Sequence, residues 1–180
     1  MGFKQFKLDP QLHKGISLAG YQKPTPIQLA AIPPVLEGKD IIGVAQTGTG
    51  KTAVFVLPIL NKLLKGSKGK CRALIITPTR ELAEQIHETI CELGTGTGIR
   101  SATIYGGVGA GYQIKVLREG FEILVACPGR LLDHIKQKNA KLDAVEILVL
   151  DEADRMLDMG FMPSVKEIFQ RLPSERQTLF

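Results

Sequence analysis

The sequence has few of the residues that mark secreted and zinc-binding proteins. Its 180 residues contain three cysteines, Cys71, Cys91 and Cys127, and no two of them form a C-x-x-C pair. The sequence therefore predicts neither a disulfide framework nor a zinc site. The three histidines are equally scattered, and we assign them no role.

Long apolar runs are absent as well. The longest, residues 53–57, is far shorter than the roughly 20 residues that cross a bilayer as a helix. The first residues, MGFKQF, lack the apolar core of a signal peptide, and Phe6 stands where a myristoylation signal has serine or threonine. We therefore expect a cytoplasmic protein.

The composition is that of an ordinary globular protein, with 44% hydrophobic and 23% charged residues. The length suits a single domain. A net charge of +5 is compatible with a polyanionic partner such as nucleic acid. The basic segment KGSKGK, residues 65–70, is typical of a solvated loop, although its lysines could also contact a nucleic acid.

Short apolar runs alternate with helical patterns along most of the chain, which predicts a parallel sheet with helices on both faces. Ligands of such sheets bind at the carboxyl ends of the strands. The predicted strands are residues 40–44, 72–77, 100–105, 121–126 and 145–150, with a sixth beginning at 177–180. The predicted helices between them are residues 51–65, 80–93, 112–118, 128–137 and 164–171.

Two further helices precede this core. Asp9 and Pro10 mark the start of the first helix, and Gly20 marks its end. Thr25, Pro26 and Gln28 have the spacing of a capping box with proline at the first helical position. We expect the pair PP at residues 33–34 to break or kink this second helix.

The segment AQTGTGKT, residues 45–52, nearly matches the phosphate-binding pattern G-x-x-x-x-G-K-[ST], with Ala45 in place of the first glycine. It lies where a predicted strand passes into a helix, so backbone N–H groups and the helix dipole would face an anion. Lys51 would contact the β and γ phosphates, and Thr52 would bind Mg²⁺. Ala45 fits this loop if its φ is negative.

A P-loop enzyme also needs acidic residues at the end of another strand. The apolar run VEILVL leads directly into DEAD, residues 151–154. We predict that Asp151 holds Mg²⁺ and that Glu152 orients or deprotonates the attacking water. The alternative is an acidic helix N-terminus without a catalytic role.

The sequence favours adenine over guanine as the base. It lacks the N-K-x-D motif of guanine-specific P-loop proteins, because NKLL at residues 61–64 has no aspartate. The side-chain amide of Gln28 could instead pair with the N6 donor and N7 acceptor of adenine. The capping box is the simpler interpretation of Gln28.

Taken together, the motifs resemble the N-terminal RecA-like domain of the DEAD-box ATP-dependent RNA helicases over nearly the whole chain. The segments that carry the resemblance are GYQKPTPIQ (20–28), AQTGTGKT (45–52), PTRELA (78–83), the glycine pair at 106–107, PGR (128–130) and DEAD (151–154). Ala45 is normal in this family. The resemblance implies an α/β fold, a three-layer RecA-like P-loop domain with a mainly parallel sheet and helices on both faces.

The resemblance also implies roles for individual residues. It divides one domain, residues 1–180, into a Q-motif region (1–28) and a P-loop core (29–180), and it makes Asp154 an interdomain coupling residue. The ATP-binding residues that it implies are Phe3, which would stack on the base, Tyr21, Lys23, Gln28, Gln46, Thr47, Gly48, Thr49, Gly50, Lys51 and Thr52. The RNA-binding residues that it implies are Pro78, Thr79, Arg80, Gly106, Gly107, Pro128, Gly129 and Arg130.

Two features depart from the family pattern. Cys127 stands where the family usually has threonine, and a thiol is a weaker donor than a hydroxyl, so a contact there would be weaker. In the family, the strand resembled by RQTLF continues into Ser-Ala-Thr and then into a second RecA-like domain with arginine fingers. We therefore expect that second domain to be a partner of this one.

The sequence is thus interpreted as the ATP-binding half of an ATP-dependent RNA helicase, using ATP and Mg²⁺ and acting as a monomer. Alone, it should bind adenine nucleotide and have little or no helicase activity. Two alternatives stay open at this point. One is a different P-loop enzyme, such as a small-molecule kinase or a DNA-directed motor, and the other is a non-catalytic nucleic-acid-binding or scaffold module.

Overall fold

The computed structural model describes residues 2–46 and 48–180. Within them, a 3₁₀ helix at Phe3–Phe6 precedes eight α-helices and five strands. The strands are β1 (Ala73–Ile76), β2 (Ser101–Ile104), β3 (Ile123–Ala126), β4 (Ile147–Leu150) and β5 (Gln177–Leu179). The helices are α1 (Pro10–Leu18), α2 (Pro26–Leu36), α3 (Lys51–Leu63), α4 (Arg80–Leu93), α5 (Ala110–Glu119), α6 (Pro128–Lys136), α7 (Ala153–Asp158) and α8 (Met162–Phe169). None of these helices has the length and apolar character that crossing a membrane requires.

The five strands form one parallel sheet in the order β2-β3-β1-β4-β5. The register places Ile76, the last residue of β1, opposite Ala126 of β3 and Leu150 of β4. The carboxyl ends of these three strands are therefore level with one another at one edge of the sheet. The predicted α/β fold with a parallel sheet is confirmed.

Each face of the sheet carries its own apolar layer, because successive side chains of a strand point to opposite faces. Ala73 and Ile75 of β1 pack into a cluster with α1, α2, α3 and α4. Leu74 and Ile76 pack into a second cluster with α6, α7 and α8. The sheet is thus covered on both sides, which explains why β1, β3 and β4 are buried and apolar at every position. The edge strands β2 and β5 alternate between buried and half-buried residues.

The strand predicted at residues 40–44 is only partly formed. This segment lies beside β5, where the Gly43 amide donates to the Phe180 carbonyl at 2.7 Å and the Phe180 amide donates to the Ile41 carbonyl at 3.0 Å. The pairing amounts to one isolated bridge, between Ile41 and Leu179. Ile42 is 82% exposed, so the segment lacks the two-sided burial that holds the other strands.

Helix α2 continues through Pro33 and Pro34, so of the predicted break or kink the break does not occur, and the kink stays a prediction. The prolines deprive the carbonyls of Leu29 and Ala30 of their intrahelical partners. Both residues are exposed, so water can bond those carbonyls instead. At the end of the helix, Gln177 Nε2 donates to the Val35 carbonyl at 3.0 Å.

Two helices near the acidic motif differ from the sequence prediction. Helix α7 was not predicted, because its six residues are too few for a helical pattern to be recognised. Helix α8 spans Met162–Phe169 instead of 164–171, and Pro163 occupies its first turn, where a missing N–H has no cost.

Gly15 allows α1 to contact the carboxyl end of α4. A Cβ atom at Gly15 would lie 2.1 Å from the Leu93 carbonyl oxygen, which is backbone and cannot rotate away. We expect Gly15→Ala to lower the free energy of unfolding by about 2 kcal/mol or more, although alanine is the better helix former. Thermal unfolding followed by circular dichroism measures this change.

Gly111→Ala is the matched control, because Gly111 lies in α5 and a Cβ atom there would meet nothing within 4 Å. We expect this substitution to stabilise the domain by about 0.5–1 kcal/mol. Equal effects of the two substitutions would contradict the role assigned to Gly15.

Candidate nucleotide and RNA site

The loop before α3 has the backbone of a phosphate-binding turn. Gly48 and Gly50 have φ of 80° and 85°, and Gly50 is the N-cap of α3. In the described part of the chain, the non-glycine residues with positive φ are Lys7, Lys138 and Glu152, so the prediction that Ala45 avoids positive φ is confirmed. Thr47, predicted to contact nucleotide, lies outside the described residues.

Lys51 and Thr52 form the first turn of α3, and both are half-buried. The Thr49 hydroxyl donates to the Gln46 carbonyl at 2.7 Å and closes the turn. The loop thus ends at a helix N-terminus, where free N–H groups and the helix dipole favour an anion. That the amides of residues 48–52 converge on one phosphate stays a prediction.

Gln28 joins the start of α2 to this loop. Its Oε1 accepts from the Thr25 amide at 2.9 Å, and its Nε2 donates to the Gly50 carbonyl at 3.0 Å. The predicted capping box is therefore present. The side chain is 1% exposed, and its amide keeps one donor and one acceptor position for a further partner. Its predicted contact with adenine stays a prediction.

The other residues predicted on the base side differ in exposure. Phe3 is only 4% exposed, and its ring packs edge-on against Phe6 and Tyr21, with centroids 5.7 and 5.6 Å apart. The predicted stacking of Phe3 on a base would thus require its ring to become accessible. Tyr21 is half-buried and Lys23 is exposed, so both can be reached from solvent.

The acidic motif begins where β4 ends, and its backbone is anchored to the sheet. The Asp151 amide donates to the Ile76 carbonyl of β1 at 2.9 Å. Burial, with Glu152 beside it, raises the pKa of Asp151 above its usual value, while Lys51 partly offsets this rise. A carboxylate in this environment is stabilised by an added cation.

Glu152 has a left-handed backbone, with φ of 54°, which is strained for a residue with a Cβ atom. Its side chain is 16% exposed, and its Oε2 accepts from Arg155 Nη1 at 3.2 Å. Backbone strain of this kind costs on the order of 1–3 kcal/mol and is concentrated at functional sites.

One cavity of about 720 Å³ unites the predicted catalytic residues. Lys51 lies on one side of it, and Asp151, Glu152 and Asp154 lie on another. Asp154 is exposed. The remaining lining is largely apolar and includes Ile42, Val44 and Phe180. The structure thus brings together at one opening residues that are 100 positions apart in the sequence.

The segment PTR starts α4 at the end of β1. Thr79 is the N-cap, and its hydroxyl accepts from the Leu82 amide at 3.3 Å. The exposed Arg80 guanidinium lies 5.0 Å above the Tyr105 ring, a cation–π contact. The side chain of Pro78 is buried, so of these three residues Arg80 is the one best placed to contact a ligand.

The glycine pair and the PGR segment lie next to each other. Arg130 Nη1 donates to the Val108 carbonyl at 3.0 Å, which joins α6 to the loop after β2. Gly106 and Gly107 are exposed, and Gly107 has φ of 81°. Gly129 is half-buried, and Pro128 is buried at the first position of α6. Whether these residues bind RNA stays a prediction.

Sequence reasoning missed several residues that support these loops. The Thr25 hydroxyl, predicted as part of the capping box, also donates to the Thr49 carbonyl at 2.9 Å. Tyr105, the ring beneath Arg80, is itself held by its hydroxyl, which donates to Glu84. Arg155 was missed as the partner of Glu152. The contacts of the Thr25 hydroxyl and of Tyr105 depend on tertiary packing, which no sequence pattern identifies. The i,i+3 spacing of Glu152 and Arg155 is a local signal that could have found that pair.

The comparisons with known proteins agree with this geometry. The family model described as DEAD/DEAH box helicase matches residues 25–180. The chain belongs to the DEAD/DEAH box helicase family.

Among its relatives, the chain is 49% identical to the ATP-dependent RNA helicase CshA of Listeria monocytogenes, over 98% of this chain and 34% of that protein. It is 49% identical to the ATP-dependent rRNA helicase RRP3 of Meyerozyma guilliermondii, over 98% of this chain and 37% of that protein. It is 46% identical to the DEAD-box ATP-dependent RNA helicase RhpA of Helicobacter pylori, over 98% of this chain and 36% of that protein. The chain thus spans about a third of the length of these relatives.

Cys127 distinguishes the PGR segment from the PTR segment in this DEAD/DEAH box helicase domain. Both segments start a helix after a strand, but Cys127 caps α6 without a side-chain hydrogen bond, whereas Thr79 caps α4 with one. Burial, with Glu81 nearby, raises the pKa of Cys127 to about 11, so the thiol is neutral at pH 7. Helix α6 therefore lacks the N-cap that α4 has.

We expect Cys127→Thr to supply this N-cap. The backbone of Cys127 is already extended, with φ of −84° and ψ of 139°, as a capping residue requires. The substitution should stabilise the domain by about 1 kcal/mol and raise Tm by about 2–4 °C. Cys127→Val is the control, because valine has the shape of threonine without the hydroxyl. An equal rise in Tm for both variants would contradict the capping explanation.

Proposed function

We propose that this domain is the ATP-binding half of an ATP-dependent RNA helicase and that the full protein couples ATP hydrolysis to local unwinding of RNA duplexes. The observation that carries the proposal is the shared cavity of Lys51, Asp151 and Glu152 at the carboxyl ends of the strands. The names of the relatives, all RNA helicases, support the same activity. The expected cytoplasmic location and monomeric state stay predictions.

The donor set fits Mg²⁺ bound together with a nucleotide. Within the described residues, no group of three or more His, Cys, Asp or Glu could hold a metal alone. Mg²⁺ is usually held by one or two carboxylates together with substrate phosphates and water, so Asp151 and Thr52 suffice as the protein's share. The raised pKa of Asp151 supports this fit, because a cation favours its ionised form. When bound, Mg²⁺ would neutralise charge on the phosphates.

The protein's own groups would then do three things. Lys51 would bind the terminal phosphates, and the N-terminus of α3 would hold them through its backbone amides. Glu152 would accept a hydrogen bond from the attacking water and orient it, with Arg155 fixing the carboxylate. Arg80 and Arg130, at the same edge of the sheet, would bind the RNA backbone, while RNA unwinding would require the second RecA-like domain.

Binding of a fluorescent ATP analogue to this chain in the presence of Mg²⁺ tests the proposal. We expect Lys51→Ala to weaken binding at least about tenfold, because it removes a charged hydrogen bond to phosphate. Lys166→Ala is the control, since Lys166 is exposed on α8 and does not line the cavity. Equal affinities of the native chain and the Lys51 variant would contradict the proposal. Nucleotide-dependent crosslinking to single-stranded DNA in preference to RNA would favour a DNA-directed motor instead.

Gln28 allows a second test, because its amide supports the loop and is also the proposed partner of adenine. Gln28→Glu keeps an acceptor for the Thr25 amide but sets a carboxylate oxygen against the Gly50 carbonyl, 3.0 Å from the present donor. We expect ATP and GTP binding to weaken together, by about tenfold for ATP, and Tm to fall. Loss of ATP binding alone, with GTP binding and Tm unchanged, would show that Gln28 acts only on the base.

A further inference from the structure

A second cavity, of about 560 Å³, opens at the amino ends of β1 and β3, opposite the edge that carries the P-loop. Three separate segments line it. They are the end of KGSKGK before β1, the end of α5 with the turn after it, and the loop at residues 138–144 between α6 and β4. We call this cavity the amino-edge pocket. It is distinct from the candidate nucleotide site, with which it shares no residue.

Four cationic residues line the amino-edge pocket, against one acidic residue, Asp143. The cations are Lys70, Arg118, Lys138 and Lys141, and all four are exposed. Within the described residues, none of the four side chains forms a salt bridge. Cations that line one pocket and outnumber its acidic residue four to one create a positive potential there, which attracts an anion.

Buried contacts hold the wall of the pocket in place. Glu122 is 1% exposed, and its carboxylate accepts from the Gly69 amide at 2.5 Å and from the Arg100 amide at 2.8 Å. A Cβ atom at Gly120 would lie 2.9 Å from the Gly69 carbonyl oxygen, so the two backbones approach closely. The end of KGSKGK is therefore fixed against the turn after α5, and Lys70 and Arg118 from these two segments line the same pocket.

Lys138 has a left-handed backbone conformation, which residues with a Cβ atom rarely adopt. Its φ is 60°, and it follows α6 at a place where helices usually have glycine or asparagine. The Lys138 and Asn139 amides donate to the carbonyls of Ile135 and His134, which is the usual helix end. The dipoles of α5 and α6 favour cations at Arg118 and Lys138, but Lys70 and Lys141 do not adjoin a helix C-terminus.

We propose that the amino-edge pocket is an accessory site for the phosphates of single-stranded RNA, outside the RNA surface formed by Arg80, Arg130 and the glycine pair. This inference rests on the proposed function for the identity of the polyanion. Phe121, the aromatic residue among those that line the pocket, is 7% exposed and offers no face for base stacking. The pocket therefore binds by charge, without reading sequence or requiring nucleotide.

The test measures fluorescence anisotropy of a labelled oligouridine of about 20 nucleotides, longer than common single-strand sites, across a range of salt concentrations. The variants are Lys138→Asn, Lys141→Gln and their combination. Asparagine tolerates positive φ, so Lys138→Asn removes the charge while relieving the strained backbone. Lys166→Gln removes one exposed, unpaired charge elsewhere and is the matched control.

We expect each pocket substitution to reduce the slope of log K against log salt by about 0.7, and the double variant by about twice that amount. Lys166→Gln should leave the slope unchanged. The reductions should be the same with and without Mg²⁺-ATP, and the same for an oligothymidine of equal length. A double variant with the slope of the control would overturn the proposal, as would reductions that appear only with ATP.

This outcome is separable from that of the proposed function. If the chain fails to bind ATP but the double variant still reduces the slope, the pocket stands and the helicase assignment fails. If ATP binding depends on Lys51 but the double variant does not change the slope, the pocket proposal alone fails. The Tm of each variant is measured to exclude misfolding as the cause. For Lys138→Asn we expect a Tm equal to or above that of the native chain.

Discussion

The candidate site depends on one constraint, which is that β1, β3 and β4 are parallel and buried on both faces. Hydrogen bonds continue the sheet one residue beyond β1, β3 and β4, where the amides of Thr77, Cys127 and Asp151 donate to carbonyls of the neighbouring strands. The segments that follow these three strands therefore leave the sheet at the same level. Because parallel strands align their carboxyl ends, the PTR, PGR and DEAD segments arise on one edge of the sheet.

The P-loop is held differently, because the segment before it forms only one bridge with β5. Its support comes from the start of α2, where Thr25 and Gln28 bond to the carbonyls of Thr49 and Gly50. These bonds orient the Gly50 peptide from outside the sheet. Gly50 has a positive φ, and a Cβ atom at this position would lie 2.5 Å from Gln28 Nε2, so both the backbone and the packing favour glycine. The loop's conformation is thus coupled to the region that the family resemblance assigns to base recognition.

The sequence was sufficient to predict the elements whose signal is local. Apolar runs gave β1, β3 and β4 with small boundary errors, and the capping box gave the start of α2. The sequence was insufficient where tertiary packing determines the structure of a segment. The doublet Pro33–Pro34 is tolerated because the carbonyls it leaves unpaired are exposed, and residues 40–44 have strand composition but lack a covering layer. The contact of Arg80 with Tyr105 likewise joins residues 25 positions apart and is invisible in the sequence.

The two edges of the sheet carry opposite kinds of unbalanced charge. At the carboxyl edge, the raised pKa of Asp151 reflects a buried carboxylate whose ionised form is favoured by an added cation. At the amino edge, four cations share one acidic neighbour, and Lys138 adopts a strained backbone among them. The buried carboxylate is costly to ionise in the free protein, whereas the four cations are exposed, and each edge would favour a ligand of opposite charge. The proposed ligands, Mg²⁺ with nucleotide at one edge and RNA phosphates at the other, would bind without competing for the same residues.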